Sequence, residues 1–105
     1  HLDTFHMNIE EDSFVTPIVK AGKKMRFFHL GENNRKMPGL GILPWKTIFE
    51  ALKLADYQGP ISMEPFVKPG GEIGSAVSLY RDIMDTSDYE EDLKRSLAFV
   101  RSLLK

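Results

Sequence analysis

Three short apolar stretches each end on a side chain that can bind a metal ion or carry a proton. The side chains are Asp3, His29 and Glu64, in stretches that span residues 1–5, 25–30 and 61–64. An apolar run that stops at a polar loop is typical of a buried parallel strand. The three residues lie 26 and 35 positions apart, close to the roughly 31 residues of one strand–helix unit if about 250 residues form eight units. We therefore predict parallel strands that present these side chains at one edge.

The segments between the strands have the spacing of helices. Asp12 or Ser13 can cap a first helix, in which Pro17 is tolerated only near the start and Gly22 suits the end. Pro44 can open a second helix. Its apolar stripe consists of Trp45, Ile48, Phe49, Leu52 and Ala55. We expect loops over residues 7–11 and 31–43, the second of a length that is usually functional or mobile.

After the third strand the sequence predicts a loop over residues 65–74 and then two helices. The apolar face of the first helix consists of Ile73, Val77, Tyr80 and Met84, and the helix ends near Asp85. The second begins at Ser87 or Asp88 and directs Leu93, Leu97, Val100 and Leu104 inward. The order strand–helix–strand–helix–strand–helix–helix implies an α/β fold with parallel strands joined by right-handed crossovers.

The composition excludes several classes of protein. The chain has 105 residues, 42% of them hydrophobic, which indicates one globular domain over residues 1–105. A net charge of -1 gives no reason to expect binding to nucleic acid or an anionic membrane. There is no cysteine, and no apolar run approaches the roughly 18 residues of a membrane span. We expect a cytoplasmic protein.

The three strand ends together predict a metal site. Side chains at the carboxyl ends of neighbouring parallel strands converge on one face, and two carboxylates with an imidazole suit Mn²⁺, Co²⁺, Mg²⁺ or Zn²⁺. Each residue also has a simpler interpretation: Asp3 as a helix cap, His29 as a core histidine, and Glu64 as an exposed strand-end charge. Their common position at three strand ends favours the metal site.

Four residues close in sequence to the candidate ligands have side chains that can contribute to the site or to the fold around it. Arg35, six residues past His29, can donate hydrogen bonds to ligand oxygens, or can be a solvated loop residue. His6 can reach the same face as Asp3. Glu32 is interpreted as a structural acid of the loop, and Phe66 as a core residue.

These motifs resemble those of the ketose 3-epimerases, which include the D-tagatose and D-psicose (D-allulose) 3-epimerases. The residues that carry the resemblance span 2–11 (LDTFHMNIEE), 29–35 (HLGENNR), 38–45 (PGLGILPW) and 63–66 (MEPF). The resemblance implies a (β/α)₈ TIM barrel, of which this chain is the C-terminal part, from the end of strand six to helix eight. It implies a small ketohexose as the substrate.

The resemblance also implies roles for individual residues. In the family a divalent metal, Mn²⁺ or Co²⁺, holds the C2 and C3 oxygens of a free ketohexose such as D-tagatose, D-psicose or D-fructose. Two glutamates then invert C3 through a cis-enediolate. Asp3, His29 and Glu64 match metal ligands, and Glu64 also matches one catalytic glutamate. His6 and Arg35 match residues that bind substrate oxygens.

The other catalytic glutamate of the family lies on strand five, upstream of His1. We therefore predict that these 105 residues alone are inactive and bind metal weakly. An open piece of barrel has unpaired edges, so we also predict a homo-oligomer. Two alternatives remain: an aldose–ketose isomerase with the same metal face, and a non-catalytic oligomeric fragment.

Overall fold

A computed structural model describes residues 1–66, 71–76 and 89–105 of the chain. The strands are β1 (Leu2–Asp3), β2 (Phe28–Leu30) and β3 (Ile61–Met63). The α-helices are α1 (Thr4–Glu10), α2 (Val15–Ala21), α3 (Trp45–Leu54), α4 (Gly71–Ala76) and α5 (Tyr89–Leu104), and a 3₁₀ turn spans Gly22–Lys24. In the part that is described, none of the helices has the length and apolar character needed to cross a membrane.

The three strands form one parallel sheet in the order β1-β2-β3, as the sequence predicted. Leu2 pairs with Phe28, and Phe28 pairs with Ile61. Because side chains alternate along a strand, these three residues share one face of the sheet. That face carries the core.

The core lies between this face and the helices. Phe28 and Leu30 are fully buried, and they pack with Ile18 of α2 and Ile48 of α3. Val100 of α5 belongs to the same cluster. On the opposite face of the sheet, Phe27 is 39% exposed. The sheet therefore has one covered and one open face.

The helix boundaries follow local sequence signals. The Ser13 hydroxyl accepts hydrogen bonds from the backbone N–H groups of Val15 and Thr16, 3.1 and 3.4 Å away, which is the capping predicted for α2. Gly22 follows α2 with φ of 48°, a conformation that glycine adopts without strain. Pro44 immediately precedes α3, as expected.

Three predicted boundaries were wrong in the first third of the chain. The first strand was expected over residues 1–5 but spans only Leu2–Asp3. Residues 7–11, expected to be a loop, belong largely to α1, which begins directly after Asp3 because the Asp3 carboxylate caps it. The second strand was expected over residues 25–30 but is limited to Phe28–Leu30, because both neighbouring strands begin at the residues that pair with Phe28.

The final helix buries a different stripe from the one predicted. Val100 is buried, but Leu97 and Leu104 are 38% and 53% exposed. Ser96 is buried instead, and its hydroxyl donates a hydrogen bond to the Pro38 carbonyl, 2.8 Å away. The hydrophobic pattern could not identify Ser96, because its burial depends on this hydrogen bond to Pro38.

The predicted loop over residues 65–74 is interrupted by α4. The predicted positions Val77, Tyr80, Met84, Asp85, Ser87 and Asp88 lie outside the described residues.

Candidate metal centre

The strand register brings the three predicted ligands to one face. Asp3 and His29 are direct partners across β1 and β2, and His29 pairs with Ser62 of β3. Glu64 lies two residues beyond Ser62, so alternation directs it to the same side. The open face of the sheet thus carries all three side chains at its carboxyl edge, as predicted.

The tips of the three side chains lie close together. His29 Nδ1 is 3.8 Å from Asp3 Oδ2 and 4.0 Å from Glu64 Oε2, and one donor atom from each residue falls within 4.8 Å of the others. The Asp3 and His29 side chains are 13% and 24% exposed, whereas that of Glu64 is 59% exposed. Two donors are therefore partly buried, and the third is accessible to a ligand from solvent.

This donor set fits a divalent ion. Bonds from such ions to carboxylate oxygen and imidazole nitrogen are about 2.0–2.2 Å long, so donors 3.8–4.0 Å apart reach a common ion with small side-chain adjustments. Two carboxylates offset the charge of the ion, and oxygen with nitrogen donors suits Mn²⁺, Co²⁺, Mg²⁺ or Zn²⁺. Three protein donors leave coordination positions open for other ligands.

Asp3 serves two purposes with its two oxygens. Oδ1 accepts hydrogen bonds from the backbone N–H groups of Phe5 and His6, 2.9 and 3.3 Å away, while Oδ2 faces His29. The helix-cap interpretation of this residue is therefore confirmed, and the second carboxylate oxygen stays available to the candidate centre. The cap also fixes the side-chain torsions of Asp3, which keeps Oδ2 aimed at the candidate centre.

The donors line an open cavity of about 470 Å³. Its walls consist of His1, Leu2, Asp3, His6, Met7, Glu10, Glu11, His29 and Glu64. His6 is exposed on α1 and takes part in this wall, so the structure brings it beside the predicted ligands. The sequence prediction did not include Met7, Glu10 and Glu11, because it treated this segment as a loop; helical spacing from the Asp3 cap is the signal that places them here.

Arg35 is placed differently from His6. It is 6% exposed, and its guanidinium carbon lies 3.4 Å from the centre of the Phe5 ring and 5.3 Å from that of Phe66. Burial lowers the pKa of this guanidinium, and the nearby carboxylates of Asp3 and Glu64 act in the opposite direction. Arg35 is thus a buried cation stacked on Phe5 near the donor group; the sequence analysis did not foresee the contact with Phe5.

Glu32 has the structural role that was expected of it. Its carboxylate is fully buried and accepts hydrogen bonds from Trp45 Nε1, Leu43 N and Gly39 N, at 2.6, 2.9 and 3.0 Å. Asn33 Oδ1 also accepts from Ile42 N at 2.9 Å. These hydrogen bonds hold residues 31–43 in a defined loop conformation.

A parallel sheet backed by helices, with the donor group at the carboxyl ends of its strands, is the arrangement found at the active sites of TIM-barrel enzymes. The chain belongs to the xylose isomerase-like TIM barrel family, whose model matches residues 1–103. It is similar to the D-psicose 3-epimerase of Agrobacterium fabrum, with 50% identity over 98% of this chain. The resemblance to ketose 3-epimerases drawn from the motifs is confirmed.

Solved structures agree with this assignment. A D-psicose 3-epimerase crystallised in the presence of D-fructose matches 98% of this chain with a TM-score of 0.90 and 50% identity. The D-psicose 3-epimerase of Clostridium cellulolyticum H10 with D-tagatose matches 99% with a TM-score of 0.90 and 46% identity. The chain spans only 37% of each of these structures and 37% of the Agrobacterium relative, so it corresponds to part of a (β/α)₈ barrel.

Proposed function

We propose that this chain supplies the metal-binding and acid–base edge of a ketose 3-epimerase, which inverts C3 of a free ketohexose such as D-psicose, D-fructose or D-tagatose. The observation that carries the proposal is the convergence of Asp3, His29 and Glu64 within 4.8 Å at the carboxyl edge of the sheet. The names of the similar proteins support the substrate class.

The chemistry sets two requirements. The hydrogen on C3 is weakly acidic and needs a base held at hydrogen-bond distance. A divalent ion held by Asp3, His29 and Glu64, which we propose to be Mn²⁺ or Co²⁺ and otherwise Mg²⁺, would supply Lewis-acid stabilisation of the negative charge that forms when this proton leaves. The side chains of the protein must supply the base and bind the sugar.

Glu64 is the proposed acid–base residue. Its carboxylate is the most exposed of the three donors, at 59%, so it can approach a bound sugar and remove the C3 proton to give a cis-enediolate. Inversion needs proton transfer on both faces of C3, and a single carboxylate reaches one face. The second group is expected from a strand that is not part of this chain, so we propose that the 105 residues alone are inactive.

His6 and Arg35 are the proposed substrate-binding residues. His6 lines the cavity, where its ring can hydrogen-bond a sugar hydroxyl. Arg35 is 6% exposed, so its contact with the sugar requires an approach close to Asp3 and Glu64, where the guanidinium can donate to an oxygen that gains charge. We also propose that the protein acts in the cytoplasm.

The test compares Glu64→Gln with Glu50→Gln in the complete gene product. Glutamine retains an oxygen donor but cannot take up the C3 proton, so kcat on D-psicose should fall by roughly 10²–10⁴-fold. Glu50 is exposed on α3, and its variant should keep full activity. Removal of metal with a chelator should abolish activity, and Mn²⁺ should restore it. Full activity of Glu64→Gln, or of the chelated protein, would contradict the proposal.

An aldose–ketose isomerase would use the same face but move a proton between C1 and C2. Incubation of D-fructose in deuterated water separates the two reactions, because the epimerase incorporates deuterium at C3 and the isomerase at C1 or C2. We expect deuterium at C3 and D-psicose as the product. An aldose product would establish the isomerase instead.

A further inference from the structure

We infer that Glu32 is a positioning residue for the candidate centre: its buried carboxylate holds residues 33–43 in one conformation and thereby fixes Arg35 beside Asp3 and Glu64. The inference rests on the proposed function. It extends the structural role of Glu32 to the geometry of the reaction site.

The carboxylate joins two elements. Oε2 accepts from Gly39 N at 3.0 Å and from Trp45 Nε1 at 2.6 Å, and Oε1 accepts from Leu43 N at 2.9 Å. Glu32 follows β2, and Trp45 is the first residue of α3. Hydrogen bonds to an ionised acceptor are roughly twice as strong as neutral ones, so this one side chain fastens both ends of the intervening loop.

The same residue also fixes the backbone at Arg35. The Arg35 N–H donates to the Glu32 carbonyl at 3.1 Å, and the Arg35 carbonyl accepts from Phe66 N at 3.0 Å. Arg35 has φ of 65°, a left-handed conformation that a residue other than glycine keeps only where its surroundings enforce it. This turn places the guanidinium over Phe5.

Gly41 shows how closely the loop fits the carboxylate. A Cβ at this position would overlap Glu32 Cγ and Asn33 Oδ1. Gly41 itself is exposed, so its replacement disturbs the carboxylate without removing core packing. Gly41→Ala is therefore a second way to displace Glu32 while its charge is retained.

The experiment uses the complete gene product with Mn²⁺ and compares Glu32→Gln and Gly41→Ala with the control Glu50→Gln. An amide replaces one acceptor oxygen by a donor, which faces N–H groups and releases the loop. Since a displacement of 1 Å can cost about 10²-fold, we expect kcat per bound Mn²⁺ to fall at least about tenfold in both variants. Mn²⁺ affinity should change less than about threefold, because the ligands lie outside the loop, and the control should be unchanged.

A second readout is independent of activity. The Phe5 ring should shift the Arg35 Nε–H signal in an NMR spectrum of the ¹⁵N-arginine-labelled protein, and both variants should move this signal. If the Arg35 Nε–H signal and kcat are unchanged in the two variants, the inference is wrong. It is also wrong if Mn²⁺ affinity falls in proportion to kcat. If Glu32→Gln does not fold, Gly41→Ala decides. A wild type without epimerase activity contradicts the proposed function, whereas the Arg35 signal still tests this inference.

Discussion

At the scale of single residues, Asp3 combines an observed helix cap with a proposed role as a metal ligand. Oδ1 caps α1 through Phe5 N and His6 N, and Oδ2 lies 3.8 Å from His29. A residue with two such roles can be changed so that only one of them is lost, because asparagine caps a helix about as well as aspartate but carries no negative charge.

Asp3→Asn should therefore leave the metal-free protein nearly as stable as the wild type, with a change in unfolding free energy below about 0.5 kcal/mol. Mn²⁺ affinity should fall at least about tenfold, since loss of even an outer partner of a metal ligand costs about 10–100-fold. Urea denaturation and isothermal titration with Mn²⁺ measure the two effects. Equal Mn²⁺ affinity would show that Asp3 is only a cap.

The element scale shows where sequence reasoning succeeds. Ser13, Gly22 and Pro44 are local signals, and the structure places them at the ends of α2 and at the start of α3, as predicted. The strands β1 and β2 were found because apolar runs ended on Asp3 and His29. Helix α1 was missed because the apolar run was continued as a strand to residue 5, although Asp3 was recognised as a possible helix cap. Burial of Arg35 and Ser96 depends on partners distant in sequence, Phe5 and Pro38, which no local pattern contains.

One pair of hydrogen bonds joins the segments that carry the first and second candidate ligands. The Thr4 hydroxyl is fully buried; it donates to the Gly31 carbonyl at 2.7 Å and accepts from the Gly31 N–H at 2.8 Å. Thr4 follows Asp3, and Gly31 lies two residues after His29. This contact therefore holds β1 and β2 together at the edge that carries the candidate ligands.

Thr4→Val keeps the shape of the side chain but leaves both Gly31 groups without their partner. We expect a loss of about 1–3 kcal/mol of unfolding free energy, measured by urea denaturation. Thr47→Val, at an exposed position of α3, is the matched control and should change stability by less than about 0.5 kcal/mol. Similar values for the two variants would show that the Thr4 contact contributes nothing net.

At the scale of the whole molecule, the described chain is an open piece of a barrel. β1 and β3 are the outer strands of a three-stranded sheet, and each leaves one row of backbone groups unpaired within the described residues. Phe27 on the open face is 39% exposed. Unpaired edges and exposed apolar surface both favour association.

We therefore expect the purified 105-residue chain to self-associate at micromolar concentration, and light scattering should give a mass above that of a monomer. Phe27→Lys adds a charge to the open face, so it should shift the equilibrium toward the monomer; Lys46→Glu, on exposed α3 surface, is the control. A monodisperse wild-type monomer would rule the expectation out.

Because Asp3 and His29 are direct partners in the strand register, binding of the proposed ion would depend on correct folding of the sheet. A slip of one residue between β1 and β2 would turn one of these side chains toward the helices, and the three donors could then no longer meet. The ion would thus stabilise the correct strand register selectively, because only chains in that register can bind it. Refolding yields with and without Mn²⁺ measure this selection, and correct alignment should be enriched when the ion is present.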